Sequence, residues 1–300
     1  MSQEFAASGI TRFRTDRLAT VYVFHPLKKV VRRWTSGIPI LMYHSISASL
    51  ASRQHPYFGT TTTPEALEQQ VRFLRENRYL GISLEQAVSD VQRGGGNAEK
   101  RVVITFDDGF EDFYTDAFPI LSKYGYGATV FLPTKYIGDS GQRFNGVRCL
   151  NWSQVRELNR AGIQFGSHTV THPQLRTLTM PDVGYELQSS RRTIEDKLGS
   201  KIESFSYHYA FPEAEVNFTR KLRESLLDSG YTNGVSTMVG TAGRTSDALF
   251  MERIPVNTFD DEALLRAKLE GGYDWLHSLQ YTSKVVSRYL KSSKTDVVRH

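Results

Sequence analysis

The stretch Arg101-Val-Val-Ile-Thr-Phe-Asp-Asp-Gly109 is a short, β-branched apolar run that ends abruptly in two adjacent carboxylates. A run of this kind, too short for a helix and bounded by a turn residue, reads as a buried strand with its acids at the carboxyl end. Neighbouring strand residues point to opposite faces, so Asp107 and Asp108 can act together only if the backbone turns as it leaves the sheet. Gly109 permits that turn. An isolated Asp-Gly pair is more often a solvated turn closing a hairpin, and the rest of the chain decides between the two.

Upstream, Ile38-Pro-Ile-Leu-Met-Tyr-His44 reads as a first buried strand ending in a histidine. Residues 46–62, rich in Ser, Thr and Ala without a period, mark a loop. A helix follows from about Pro64 with Thr63 as its N-cap. Ser83-Leu-Glu-Gln86 has the form of a capping box opening another helix, which Gly94-Gly-Gly96 stops. Downstream, the pattern predicts helices over 111–124, 151–161, 182–198, 218–229 and 261–270. They alternate with strands over 128–132, 163–167, 204–207, 231–236 and 250–254. Such alternation implies a parallel sheet with helical crossovers. Seven or so units in about 240 residues suit an α/β fold of the distorted (β/α)7-8 TIM-like barrel type, in a single domain. His44, Asp107, Asp108, His168 and Tyr209 all fall at or just past predicted strand ends, which a barrel gathers on one face.

Residues 1–36 carry seven Lys and Arg against Glu4 and Asp16, which accounts for the whole net charge of +5. The remainder is near neutral, which argues against nucleic acid as a partner. The expected organisation is a basic leader over 1–36, the barrel over 37–280 and a polar tail over 281–300. Cys149 is the only cysteine, so no internal disulfide forms and a reducing compartment is permitted. With no signal-peptide pattern and no membrane-length apolar run, a cytoplasmic location is the default expectation. Residues 18–34 mix apolar side chains with Lys28, Lys29, Arg32 and Arg33 and could lie on an anionic membrane surface. A helix packed on the body with solvated charges is the reading favoured over that one.

Gly166-Ser-His168-Thr-Val-Thr-His172-Pro places two imidazoles four residues apart after a strand, within reach of one cation. Two histidines and one carboxylate form a familiar catalytic zinc ligand set with an open position, and a second carboxylate beside it would supply a base.

Thr105-Phe-Asp-Asp-Gly109 and His168-Thr-Val-Thr-His172 resemble the first two motifs of the polysaccharide deacetylases, carbohydrate esterase family 4, also called the nodulation-protein-B homology domain. Leu41-Met-Tyr-His44-Ser-Ile, Ala117-Phe-Pro-Ile-Leu121 and Gly127-Ala-Thr-Val-Phe-Leu132 extend the resemblance over roughly residues 38–256. It implies a distorted barrel, a divalent metal (Zn2+ first, with Co2+ or Ni2+ as alternatives) and removal of N-acetyl groups from an amino-sugar glycan or a lipid-linked amino sugar. It further implies Asp108, His168 and His172 as metal ligands, Asp107 as general base and the backbone N–H of Tyr209 at the oxyanion. His44 resembles the first-strand acid of the poly-N-acetylglucosamine deacetylase subgroup. The commoner C-terminal acid motif is absent from the sequence, and His277 in Tyr273-Asp-Trp-Leu-His277 reads as a packed helical residue.

The third motif departs from the family pattern. Its usual Arg-x-Pro-Tyr-Gly or Tyr-Pro-Tyr-Gly becomes Phe205-Ser-Tyr-His208-Tyr-Ala210. Ser206 replaces the arginine that usually orients the base, and His208 stands where proline is expected, to line the groove or to report a changed substrate. Arg253 is the candidate for the missing positive charge, with a rim salt bridge as the equal alternative. Tyr207, Tyr209, Trp152 and Phe110 are candidate platforms for sugar rings. The rival function is a catalytically silent glycan-binding barrel. An aspartate-nucleophile phosphohydrolase is disfavoured because its acids are spaced by one residue, whereas Asp107 and Asp108 are adjacent.

Overall fold

The computed structural model of the chain describes residues 14–30, 37–48, 59–93 and 99–282. The apolar runs form seven strands: β1 (Ile40–Tyr43), β2 (Arg101–Phe106), β3 (Thr129–Leu132), β4 (Gln164–Ser167), β5 (Ser204–Ser206), β6 (Asn233–Val239) and β7 (Met251–Pro255). Each pairs in parallel with the next, and β7 returns to β1, so the sheet closes on itself as a barrel. A short strand, Leu80–Gly81, extends the amino end of β2. Every residue of β3, and all of β2 after Arg101, is buried, as expected for parallel strands covered on both sides. Gly166 in β4 is required by close approach: a Cβ there would lie 2.5 Å from the Phe131 ring and 2.8 Å from the Ser204 carbonyl.

The crossover helices begin and end on local signals. α1 (Pro64–Glu76) starts at Thr63, whose hydroxyl accepts the Ala66 N–H. α2 (Leu84–Gln92) opens on the Ser83/Gln86 capping box, with both reciprocal bonds formed. α3 (Phe118–Tyr124) is preceded by a π-turn over Phe113–Ala117, in place of an unbroken helix from Glu111. Pro119 has no N–H to offer the carbonyl four residues back, so regular winding cannot extend through it. α4 (Trp152–Arg160), α5 (Met180–Leu198), α6 (Val216–Asp228) and α7 (Glu262–Leu269) complete the ring. Within the segment expected to be loop, Ser45–Ile46 pairs with Thr61–Thr62. Gly94–Gly96 lie outside the described residues.

Residues 14–30 of the basic leader pack against the last turns of the barrel. Phe24 stacks on Trp275 at 4.6 Å, and the Tyr273 hydroxyl donates to Asp16. Arg17, Lys28 and Lys29 pair with Asp261, Asp274 and Glu270, so these charges meet the protein's own acids. Tyr22, Val23, Leu27 and Val30 are exposed instead. Residues 1–13 and 31–36 of the leader, and 283–300 of the tail, lie outside the described residues. No described helix is long and apolar enough to cross a membrane.

Candidate active site

Strands β1, β2, β4 and β5 end at the residues just before His44, Asp107, His168 and Tyr207. Asp107 and His168 remain on the ladder, donating their N–H groups to the Tyr43 and Leu132 carbonyls at 3.0 Å each. The chain then turns sharply. Asp108 has φ 71° and Gly109 57°, which brings the second carboxylate into the same cluster as the first. Of the six described non-glycine residues with positive φ, four are Asp108, Thr169, His172 and Tyr209. Each such conformation costs about 1–3 kcal/mol, so the fold holds this one region against local preference.

Asp107 and Arg253 are 3% and 0% exposed. The guanidinium donates to both carboxylate oxygens, at 2.8 and 2.7 Å. Ser206 Oγ donates to Asp107 Oδ1 at 3.1 Å and accepts from Arg253 Nη2 at 3.0 Å. Further donation to the Ser236 carbonyl and the Thr105 hydroxyl fixes the fork. Arg253 is therefore not a rim residue: it reaches Asp107 from β7, and Ser206 leaves room for it. Burial pushes the Asp107 pKa up, but Arg253 foremost, with His168 and His44, more than offsets this and holds it well below the usual carboxylate range.

Asp108 behaves in the opposite way. Burial, and then the charge of Asp107, push it up to about 8, with Arg253 opposing only in part. Its Oδ1 is buried without a hydrogen-bond partner and lies 3.6 Å from His168 Nε2 and 3.4 Å from His172 Nε2. His168 Nδ1 lies 2.8 Å from the Ser206 carbonyl, an acceptor only, so Nδ1 carries the hydrogen and Nε2 presents its lone pair to Asp108. Burial lowers His168 well below its ordinary value and His172 to about 4, so both rings are neutral at pH 7.

One feature of the site is invisible in the motif. Glu186, in α5, accepts from the Val170 and Thr171 N–H groups at 2.7 and 2.9 Å and from the Thr171 hydroxyl at 2.7 Å. Thr134 and Lys135 brace the other side, donating to the Thr169 and Val170 carbonyls. The loop carrying both histidines is thus held from two elements. A hairpin, Arg143–Phe144 with Val147–Arg148, sets the Phe144 ring 4.9 Å from that of His172. Asn145-Gly146, both with positive φ, makes its turn, and that dipeptide was the signal available in the sequence.

His44 Nε2 stands 3.9 Å from Asp107 Oδ2, and burial lowers its pKa despite that carboxylate. Tyr209 is 50% exposed, with its ring 5.0 Å from that of His172. Among the described residues nothing accepts its backbone N–H. Tyr207 does not line a groove: it is 2% exposed and packs edge-on against Phe211. Trp152 and Phe110 are likewise buried, so of the four aromatic residues considered as sugar platforms only Tyr209 is available. His277 binds Glu213 at 2.8 Å.

The set fits a divalent cation. Ligands about 2.1 Å from a tetrahedral ion are roughly 3.4 Å apart, close to the observed oxygen–nitrogen spacings. Arg253 already neutralises Asp107, so the charge of Asp108 has no counter-ion within the cluster.

The profile of the polysaccharide deacetylase family matches residues 94–234. YxkH of Bacillus subtilis, whose name places it among polysaccharide deacetylases, is 31% identical over 220 residues, which is 73% of this chain and 71% of that one. The poly-beta-1,6-N-acetyl-D-glucosamine N-deacetylase of Escherichia coli K12 is 32% identical over 144 residues, 45% of this chain and 21% of the relative. Among solved structures, the Streptococcus pyogenes deacetylase PplD in complex with acetate aligns with a TM-score of 0.66 at 25% identity, over 79% of this chain and all of that one. IcaB from Ammonifex degensii has the same fold, with a TM-score of 0.64 at 23% identity over 79% and 98% of the two chains. The closed parallel barrel, the diacid and paired histidines at its mouth, and these likenesses together show that the chain belongs to the polysaccharide deacetylase family.

Proposed function

We propose that the protein hydrolyses the N-acetyl group of an amino-sugar glycan in a reaction that depends on a divalent cation, Zn2+ foremost, held by Asp108, His168 and His172. The observation that carries this reading is the division of labour between adjacent acids, one locked to Arg253 and the other facing two neutral imidazoles with no hydrogen-bond partner on Oδ1. A cation bound there would act as a Lewis acid on the acetamide carbonyl and on water. The backbone N–H of Tyr209, free among the described residues, would donate to the oxyanion that forms as the carbonyl is attacked.

Asp107 stays ionised and accepts the proton of the attacking water. Its depressed pKa makes it a poor place to keep that proton, and His44 Nε2 is the neighbouring imidazole, 3.9 Å from Oδ2. A proton passed from Asp107 to His44 can then reach the departing amine, which is a poor leaving group until protonated. The partly exposed His44 and the exposed Tyr209 leave this face open to a polymer chain. The poly-beta-1,6-N-acetyl-D-glucosamine deacetylases among the relatives support a polymeric N-acetylglucosamine substrate.

Acetate release over a panel of N-acetylated oligosaccharides, poly-N-acetylglucosamine and a lipid-linked amino sugar, with and without chelator, tests this. Release that stops with chelator and returns with Zn2+ is expected. Glycan binding without acetate release from the metal-loaded protein would establish the silent barrel instead.

A further inference from the structure

His208 occupies the place where the resembling family has proline, and its surroundings are those of a ligand. It is 4% exposed. Its ring stacks on that of His172 at 4.0 Å and meets that of His168 edge-on at 5.0 Å. His208 Nε2 is hydrogen-bonded to the Pro173 carbonyl, which can only accept, so Nε2 carries the hydrogen and Nδ1 the lone pair. That Nδ1 is buried and has no partner. A buried acceptor left unsatisfied is costly, and this one lies on a ring packed against two imidazoles that both face Asp108.

We propose that His208 Nδ1 is a further ligand of the cation, so that the site presents one carboxylate and three imidazoles. The proposal rests on the reading of Asp108, His168 and His172 as the cation site. One ring nitrogen of each of His168, His172 and His208 lies within 4.8 Å of the others. No two donors of one ion with bonds of about 2.1 Å stand more than roughly 4.2 Å apart, so the three rings meet on one ion by closing towards it. A third imidazole would tighten the site and fill one of the positions otherwise left to solvent.

The test is proton NMR of the full-length protein loaded with Co2+, in which each coordinated imidazole contributes one strongly shifted, exchangeable N–H resonance. Three are expected, from His168 Nδ1–H, His172 Nδ1–H and His208 Nε2–H. His208→Gln should lose one and bind Co2+ at least about tenfold more weakly in a chelator competition, since even outer-sphere losses weaken metal sites about 10–100-fold. His208→Pro, which restores the family residue, serves as the second variant. Two resonances in the unaltered protein, or a Gln variant with affinity within about twofold of the original, would overturn the ligand role while leaving the cation site intact. No Co2+ binding at all would remove both this proposal and the reading beneath it. The spectrum of the unaltered protein decides the matter even where a variant fails to fold.

Discussion

Replacing Arg253 by Met should show how two adjacent acids come to differ. The guanidinium makes five hydrogen bonds at 2.7–3.2 Å, two of them to Asp107, in a fully buried setting. Removing one partner of a buried ion pair costs about 3–5 kcal/mol, mostly because the other charge is left uncompensated. Against a typical total stability of about 5–15 kcal/mol, the variant should fold but unfold early in urea. Asp107→Asn alone leaves Arg253 buried and partly unpaired, and the double variant removes both charges. The double variant should therefore be less destabilised than the sum of the singles by more than about 1 kcal/mol. The pH dependence has a definite sign. In the unaltered protein Asp107 titrates below its ordinary 3.8, so its contribution is complete above that value and is lost only as pH falls through the lower folded one. In Arg253→Met, burial loses its largest opponent and Asp107 rises, with His168 and His44 left to oppose it in part, so the stability gap between the two proteins is widest near neutral pH and narrows on acidification. Urea unfolding of chelator-stripped protein at pH 7 and pH 5 measures both effects. Single-variant losses that add within about 0.5 kcal/mol, or a gap that widens in acid, would refute the reasoning.

Because Asp108 is raised to about 8 while the imidazoles titrate far lower, Zn2+ loading at pH 7 should displace close to one proton per ion. Calorimetry in buffers of different ionisation enthalpy counts it, and the number should approach zero above pH 9; no release at pH 7 would deny Asp108 its place as a ligand. Asp107→Asn should lower acetate release by about 10²–10⁴-fold at unchanged metal content, and a full rate would reassign the base. His44→Ala should also slow the reaction with the metal retained, and metal loss on that change would make His44 a ligand. Glu186→Ala, which orphans two backbone N–H groups, should destabilise by about 1–3 kcal/mol and weaken Zn2+ binding about 10–100-fold; unchanged affinity in chelator competition would mean the histidine loop holds its own shape.

What could be read from the chain was whatever local pattern controls. The β2 run, the Thr63 and Ser83 caps and the glycines after α3 and α5 each act over a few residues, and each appears where its local chemistry puts it. The helix expected over 111–124 ran through Pro119 as if it were an ordinary helical residue, whereas a π-turn precedes it. Tyr207, Trp152 and Phe110 looked like sugar platforms because burial is a property of the packed whole, and no short window records it. Glu186 was illegible for the same reason, since its partners Val170 and Thr171 lie sixteen and fifteen residues away across a helix.

The loss of the usual arginine at Ser206 is the most instructive of these cases. Viewed along the sequence it removes the cation that orients the base. In three dimensions, β7 closes the barrel against β1, and β1 lies beside β2, so a side chain 146 residues from Asp107 arrives at its carboxylate. A small residue at position 206 is then what the geometry needs, because Ser206 Oγ touches both Asp107 and Arg253 within 3.1 Å. The same cation that holds Asp107 ionised acts only weakly on its neighbour, which leaves Asp108 at about 8 with its charge unmet. Neighbouring residues of one chemical type thus acquire opposite acidities from which of them Arg253 reaches, a separation that suits one to proton transfer and the other to a cation in the proposed reaction. Moving the arginine back, as in Ser206→Arg combined with Arg253→Met, should recover part of the lost stability if position, and not the strand of origin, is what matters. Urea unfolding no better than that of Arg253→Met alone would show that the β7 route is specific to this barrel.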